Sequence, residues 1–251
     1  MDLRGACFKF YWKVQKIVAP SLKYSQAIYE DILTSVSHDR SKWLDLGCGH
    51  RLLPPWRLEQ ERLLADAPDL IVGLDYDDPS LRKHGSIPNL VRGDASMLPF
   101  PEESFDLVTS NMMFEHLAEP EKELREIFRI LKPGGVLLFH TPNANSYGVM
   151  LARATPQALK SKVIWLLQHR KEEDVFPTHY RMNTEKTIRG LAGRVGFRVT
   201  QLRLIVSSAQ LVMIPPLVIA ELFLIRFLMT RPGRRWRTNI IGVFTKPDHT
   251  G

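Results

Sequence analysis

The chain has 251 residues, 44% of them hydrophobic and 24% charged, a length and balance that allow a full buried core and exclude wholesale disorder. Its two cysteines, Cys7 and Cys48, lie far apart without metal-ligand spacing, which excludes a disulfide framework or zinc module and predicts a reducing, cytoplasmic setting. A formal net charge of +7 permits attraction to phosphate-bearing partners, but it bears on association rather than activity.

In chain order, Met1–Val18 has apolar residues interrupted by Arg4, Lys9, Lys13 and Lys16, which does not read as a secretory signal. Phe8, Tyr11, Trp12 and Gln15 recur at helical intervals, predicting an amphipathic helix that covers an active site or touches a membrane. Five β-rich runs follow: Trp43–Leu46, Leu70–Leu74, Asn89–Arg92, Phe105–Ser110 and Val136–His140. They are continuously apolar rather than alternating, as strands of a parallel sheet covered on both faces are. Between the last two, Glu121–Leu131 predicts a helix with Leu124, Ile127, Phe128 and Leu131 on one stripe, opened by Pro120 and stopped by Lys132-Pro133-Gly134-Gly135.

Beyond Asn143, residues 144–170 read as mostly helical. Thr184–Val195 predicts a helix with Ile188, Leu191, Ala192 and Val195 inward, capped by Gly196, and Phe197–Thr200 begins a strand. An apolar stretch, Leu204–Met229, is interrupted by Pro215-Pro216, Glu221 and Arg226, and Asn239–Thr245 closes the chain as a strand. The alternation implies an α/β fold, a doubly wound, mostly parallel seven-stranded sheet. The expectation is one domain over 1–251: a helical cap at 1–41, a core at 42–143, and a second half at 144–251 whose apolar helical insertion, 204–229, precedes the last strand.

In such a sheet, ligands bind at the carboxyl ends of the strands. Asp45-Leu46-Gly47-Cys48-Gly49 makes a tight turn that lets a ligand approach the backbone, Asp75 offers a carboxylate suited to ribose hydroxyls, and Asp94-Ala95 could meet an adenine amino group. A nicotinamide fingerprint would need a third glycine where the chain has Leu52.

The segments WLDLGCG, IVGLDYD, LVRGDASMLPFPEESFDLVTSNMMFEHL and ELREIFRILKPGGVLLFHTPN resemble the successive motifs of class I S-adenosylmethionine-dependent methyltransferases, in the group that includes ubiquinone/menaquinone-biosynthesis enzymes. The resemblance covers roughly residues 42–143, with weaker echoes at 183–199 and 239–247. It implies a Rossmann-like methyltransferase fold, S-adenosyl-L-methionine as cofactor and S-adenosyl-L-homocysteine as product. By the same resemblance, Gly47, Cys48 and Gly49 surround the methionine portion with Asp45 near its ammonium, Asp75 holds the ribose, and Tyr76 packs beside the adenine. Asp94 and Ala95 meet the adenine amino group, Ser110 and Asn111 face the sulfonium, and Glu115 and His116 sit where acceptor and cofactor meet. One departure is Arg51, where the family usually has glycine; it either points outward or crowds the cofactor's carboxylate end.

Methyl transfer from a sulfonium is an in-line displacement, so alignment matters most. A base is needed only for an acceptor that must lose a proton, and His116, His179 and His140 are the candidates, with Tyr180 beside His179 on the acceptor side. No metal site is expected. The stretch 204–229 is too interrupted to span a bilayer. It reads either as a lid over the acceptor or as an interfacial element, residues 204–237 making peripheral membrane contact through neighbouring arginines. Both favour a bulky, apolar or lipid-linked small-molecule acceptor. A scaffold without turnover, motivated by Arg51, is the alternative of another class. Nucleic-acid modification is disfavoured because Ser110-Asn111-Met112-Met113 stands where a base-methylating tetrad would, so no nucleic-acid partner is expected. Oligomeric state is not legible.

Overall fold

The computed structural model describes residues 3–38, 40–154 and 177–248. Seven strands, β1 (Lys42–Leu46), β2 (Leu70–Asp75), β3 (Asn89–Arg92), β4 (Phe105–Asn111), β5 (Leu131–Pro142), β6 (Arg198–Ile205) and β7 (Asn239–Thr245), form one sheet in the order β3-β2-β1-β4-β5-β7-β6. β1 pairs in parallel with β2 and β4, β2 with β3, and β4 with β5. β7 runs against β5, because Gly134 bonds to the Lys246 carbonyl at one end and Asn143 to the Thr238 carbonyl at the other. The sheet is therefore mixed but mostly parallel, and the order reverses beside β1, the switch point at which such sheets hold ligands.

The described helices are α1 (Leu3–Val18), α2 (Ser25–Ser37), α3 (Leu58–Asp66), α4 (Asp78–Leu81), α5 (Pro120–Ile130), α6 (Tyr147–Ala154), α7 (Glu185–Val195) and α8 (Pro215–Leu228). On α5, Leu124, Ile127 and Ile130 are fully buried while Arg125 and Glu121 pair on the solvent side. α7 starts where the Thr184 hydroxyl accepts from the Thr187 amide and stops at Gly196, whose φ of +105° ends the helix in the left-handed region.

The chain gathers into two compact units. One comprises Tyr29–Thr141, Thr178–Arg203 and Ile241–Gly251. Its core includes Trp43, Leu44, Leu74, Leu107, Phe139 and Phe244, with Phe114 stacked on Phe139 at 4.6 Å between ring centres. A β-carbon on Gly242 would stand 2.3 Å from the Phe139 ring, so only glycine fits there in β7. The other unit comprises Met1–Ile28, Pro142–Pro177 and Leu204–Ile240. There α1 packs on α8, and Tyr11, Val206, Ala209, Val212, Val218, Leu222, Ile225 and Leu228 make a separate apolar cluster.

The local expectations need four adjustments. α1 buries Cys7, Tyr11 and Gln15, whereas Phe8 and Trp12 face outward, because the inward stripe follows the α8 contact rather than the aromatic spacing. α5 ends at Ile130 and Leu131 already pairs with Phe105, so Lys132-Pro133-Gly134-Gly135 lies inside β5, with a register shift opposite Phe105 and Leu107. Pro215 and Pro216 begin α8 rather than break it, since the first turn needs no amide donors. Of the helical reading over 144–170, α6 ends at Ala154 and residues 155–170 lie outside the described residues. Among the described residues, no helix is long and apolar enough to cross a membrane.

Candidate active site

The turns after β1, β2 and β3 meet through the backbone. The Gly47 and Cys48 amides donate to the Leu74 carbonyl at 2.8 and 3.2 Å, and the Gly49 amide donates to Asp75 Oδ2 at 2.8 Å. Asp75 in turn receives the Asp77 amide on Oδ1 at 2.8 Å, while its carbonyl accepts from Gly93 at 3.0 Å, next to Asp94. Gly47 and Gly49 adopt φ of +72° and +55°, conformations that favour glycine. A β-carbon on Gly47 would also strike the Met113 side chain at 2.7 Å, whereas one on Gly49 would meet nothing within 4 Å among the described residues. The loop thus leaves open space over Gly49, beside a half-buried carboxylate. Arg51 is exposed and is not among the residues with positive φ, so its backbone does not require glycine.

Around these turns the sequence-derived residues differ in setting. Cys48 is buried, a β-carbon on Gly73 would stand 2.9 Å from its Sγ, and burial pushes its thiol far up. Tyr76 is exposed, with the Arg92 guanidinium 5.8 Å from its ring centre. Asp94 is exposed and commits Oδ1 to the Ser96 amide at 2.8 Å in the turn that contains Ala95.

Beneath Gly47 lies a buried polar layer. Trp43 Nε1 donates to Thr109 Oγ1 at 2.7 Å, and Thr109 donates to Asp45 Oδ1 at 2.6 Å. Burial, opposed by that bond and reinforced by the Asp75 and Glu61 charges, raises the Asp45 carboxyl to about 7. Tyr29 on α2 is held well above the usual phenol range by burial and the Asp45 charge, and its ring stacks on His140 at 5.7 Å. His140 Nδ1 shares a 2.9 Å hydrogen bond with Asn111 Oδ1; burial lowers this imidazole to about 4, so it is neutral near pH 7. His140 Nε2 and the Ser110 hydroxyl are both buried without a hydrogen-bond partner among the described residues.

The loop leaving β4 carries the acceptor-side candidates. Met112, with φ +59°, turns the chain and bonds to the His140 carbonyl at 2.7 Å; a left-handed non-glycine residue of this kind costs on the order of 1–3 kcal/mol and concentrates at functional sites. Glu115 and His116 lie in the short helix Phe114–His116 that follows. The Glu115 carbonyl accepts from the amides of both His179 and Tyr180, at 2.8 and 3.1 Å, and so gathers three distant candidates into one corner. Its carboxyl accepts from Thr141 Oγ1 at 3.0 Å, Asn183 Nδ2 donates to the same hydroxyl at 2.6 Å, and burial raises the Glu115 pKa. His116 is half-buried and His179 exposed.

Trp43, Thr109, Tyr29, Thr141 and Asn183 were not singled out from sequence. Thr109 could have been, since it immediately precedes Ser110 near the end of the fourth strand run; the structure makes it the register partner of Asp45. Nothing local marks Tyr29 or Asn183, which reach the site only through tertiary packing. Among the described residues, no cluster of three or more His, Cys, Asp or Glu side chains is placed to hold a metal.

Comparison with known proteins accords with this geometry. Malonyl-[acyl-carrier protein] O-methyltransferase 1 of Coxiella burnetii is 39% identical over 72 residues, 29% of this chain and 25% of that protein. The ubiquinone/menaquinone biosynthesis C-methyltransferase of Salmonella arizonae is 41% identical over 78 residues, 30% of each chain. The chain thus spans less than a third of the length of these curated relatives. A solved S-adenosylmethionine-dependent methyltransferase structure from Methanosarcina mazei shares the fold at a TM-score of 0.56, with 18% identity over 87% of this chain and 98% of that one. The family described as methyltransferase domain matches residues 22–202, well over half of the sequence. On that match, the chain belongs to the methyltransferase domain family.

Proposed function

We propose that the protein transfers a methyl group from S-adenosyl-L-methionine to a bulky, apolar or lipid-linked small molecule, with residues 204–237 in peripheral contact with a membrane. The observation that carries the methyl-transfer reading is the Gly49–Asp75–Gly93 chain of hydrogen bonds, which draws three strand-end turns to one place. Open space over Gly49 and the unpartnered Ser110 hydroxyl fit a nucleoside with a polar tail. When bound, the cofactor supplies an electrophilic methyl on a sulfonium. Asp75 would hold the ribose hydroxyls with the carboxylate edges not spent on Gly49 and Asp77, Tyr76 would lie beside the adenine, and Asp94 and Ala95 would meet its amino group. Asp45, oriented by Thr109, would receive the ammonium at the Gly47-Cys48-Gly49 turn. Ser110 and Asn111 would border the reacting centre.

On the acceptor side, Glu115 fixes the backbone of His179 and Tyr180, so orientation falls to this corner, and orientation can supply roughly 7–11 kcal/mol of a barrier. Should the acceptor need to lose a proton, His116 and His179 reach solvent and can pass it on. His140, neutral and enclosed, would instead hold Asn111 in place. The acyl-carrier and quinone-pathway names of the two curated relatives favour an acceptor with a long apolar portion. Titration calorimetry with S-adenosylmethionine tests the cofactor assignment. Asp75→Ala should weaken binding roughly tenfold to a hundredfold, the range for hydrogen bonds to a charged group; unchanged affinity would overturn the ribose assignment.

A further inference from the structure

α8 is apolar on its inner face and over most of its outer one, with Arg226 exposed at the border. Val218, Leu222, Ile225 and Leu228 fill the interior of their unit, as expected. The opposite face is apolar too: Leu217 is 46%, Phe223 59% and Phe227 46% exposed, with Leu224 and Ala220 exposed between them. Soluble helices put charged residues across such a face, and a helix whose outer face is mostly apolar is buried or lies against an apolar phase. The single acid in α8, Glu221, is buried and accepts from Tyr147 Oη, the Gln210 amide and the Leu211 amide, so it puts no charge on the outer face.

Cations border that face. Phe227 packs on Trp236 at 6.3 Å between ring centres, and the Arg235 guanidinium lies 4.0 Å over the Trp236 ring, which seats a cation beside the exposed phenylalanine. Arg226 and Arg231 are exposed next to it, and Arg226 donates to the Val18 carbonyl at the end of α1. α1 itself carries exposed Lys9, Lys13 and Lys16 and no acid. Arg237 plays another part: its guanidinium binds the carbonyls of Leu204, Leu228 and Met229 and closes the end of α8.

We infer that the outer face of α8, Leu217 to Phe227, together with Arg231 and Arg235, docks on an anionic lipid surface, the phenylalanines entering the acyl boundary and the arginines meeting lipid phosphates. This rests on the membrane contact proposed above and assigns it a surface and a lipid chemistry. Apolar rings in the interface with cations at phosphate level are the balance that holds an interfacial helix.

The test is flotation of the full chain with vesicles of phosphatidylcholine alone or with phosphatidylserine admixed. The chain should float with the anionic vesicles, and less so as salt is raised. Phe223→Glu, an exposed change that leaves the core intact, should lower recovery at least tenfold, and Arg231→Ala with Arg235→Ala should remove the preference for phosphatidylserine. Flotation unaffected by Phe223→Glu would overturn the assigned face while leaving membrane contact standing. No flotation at all would remove both. A dimer in sedimentation that Phe223→Glu splits, without flotation, would give the face to a second copy of the chain and overturn the inference. Calorimetry with S-adenosylmethionine on the same preparations separates these failures from loss of the methyl-transfer reading.

Discussion

Asp45 lies beneath the first turn in a layer closed by Trp43, Thr109 and Tyr29, and the fold opposes its charge. Its carboxyl titrates at about 7 rather than the ordinary 3.8, so between those values the folded state holds a proton that the unfolded chain has released. Its contribution to stability is therefore complete at acid pH, declines as pH rises through that window, and levels off above about 7. Asp45→Asn should flatten that decline in melting curves recorded across the window. An ammonium placed beside Asp45 would favour the charged form, so binding S-adenosylmethionine at pH 7 should release protons. Calorimetric heats should then differ between phosphate and Tris, buffers of unlike ionisation enthalpy; identical heats would contradict the assignment. Gly47→Ala should cost about 1–3 kcal/mol of stability and abolish cofactor binding, because the residue sits at φ +72° against the Met113 side chain. Gly47, Asp75 and Asp94 could be marked as candidates in the sequence because each follows a strand run, and Asp45 because it lies in the first run next to the glycine turn. The proton on Asp45 was not legible, because it depends on burial in the folded core and on the Asp75 and Glu61 charges that folding brings near it.

Among the elements, α5 and α7 were legible nearly to the residue, since each has a continuous apolar stripe and its own start signal, and α7 its Gly196 stop as well. α1 and α8 were less so. Their spacing marks helices, but both carry apolar residues on more than one face, and only their mutual packing selects Tyr11 over Trp12 as the buried ring. Glu221 looked like an interruption of an apolar run, yet it is the acceptor that ties the Gln210-Leu211 turn and Tyr147 to α8. Glu221→Ala would strand three donors, two of them backbone amides, and should destabilise the protein by roughly 2–4 kcal/mol, read as a lower denaturation midpoint. Glu221→Gln, which keeps one acceptor oxygen, should recover part of that loss.

For the whole molecule, ligand linkage gives a check independent of turnover. S-adenosylmethionine at about a hundred times its dissociation constant should stabilise the folded state by roughly 2.7 kcal/mol, raising the melting temperature by several degrees, and Asp75→Ala should cancel most of that rise at the same concentration. The sequence by itself determined the seven strand runs and their alternation with helices, because a parallel strand buried on both faces leaves a local apolar signature. Only the tertiary structure decided that β7 runs against β5, that Arg51 is exposed, that His179 and Tyr180 meet Glu115, and which apolar side chains of α8 stay in solvent. Those outcomes depend on contacts between segments far apart in the chain, and no local pattern of residues encodes them.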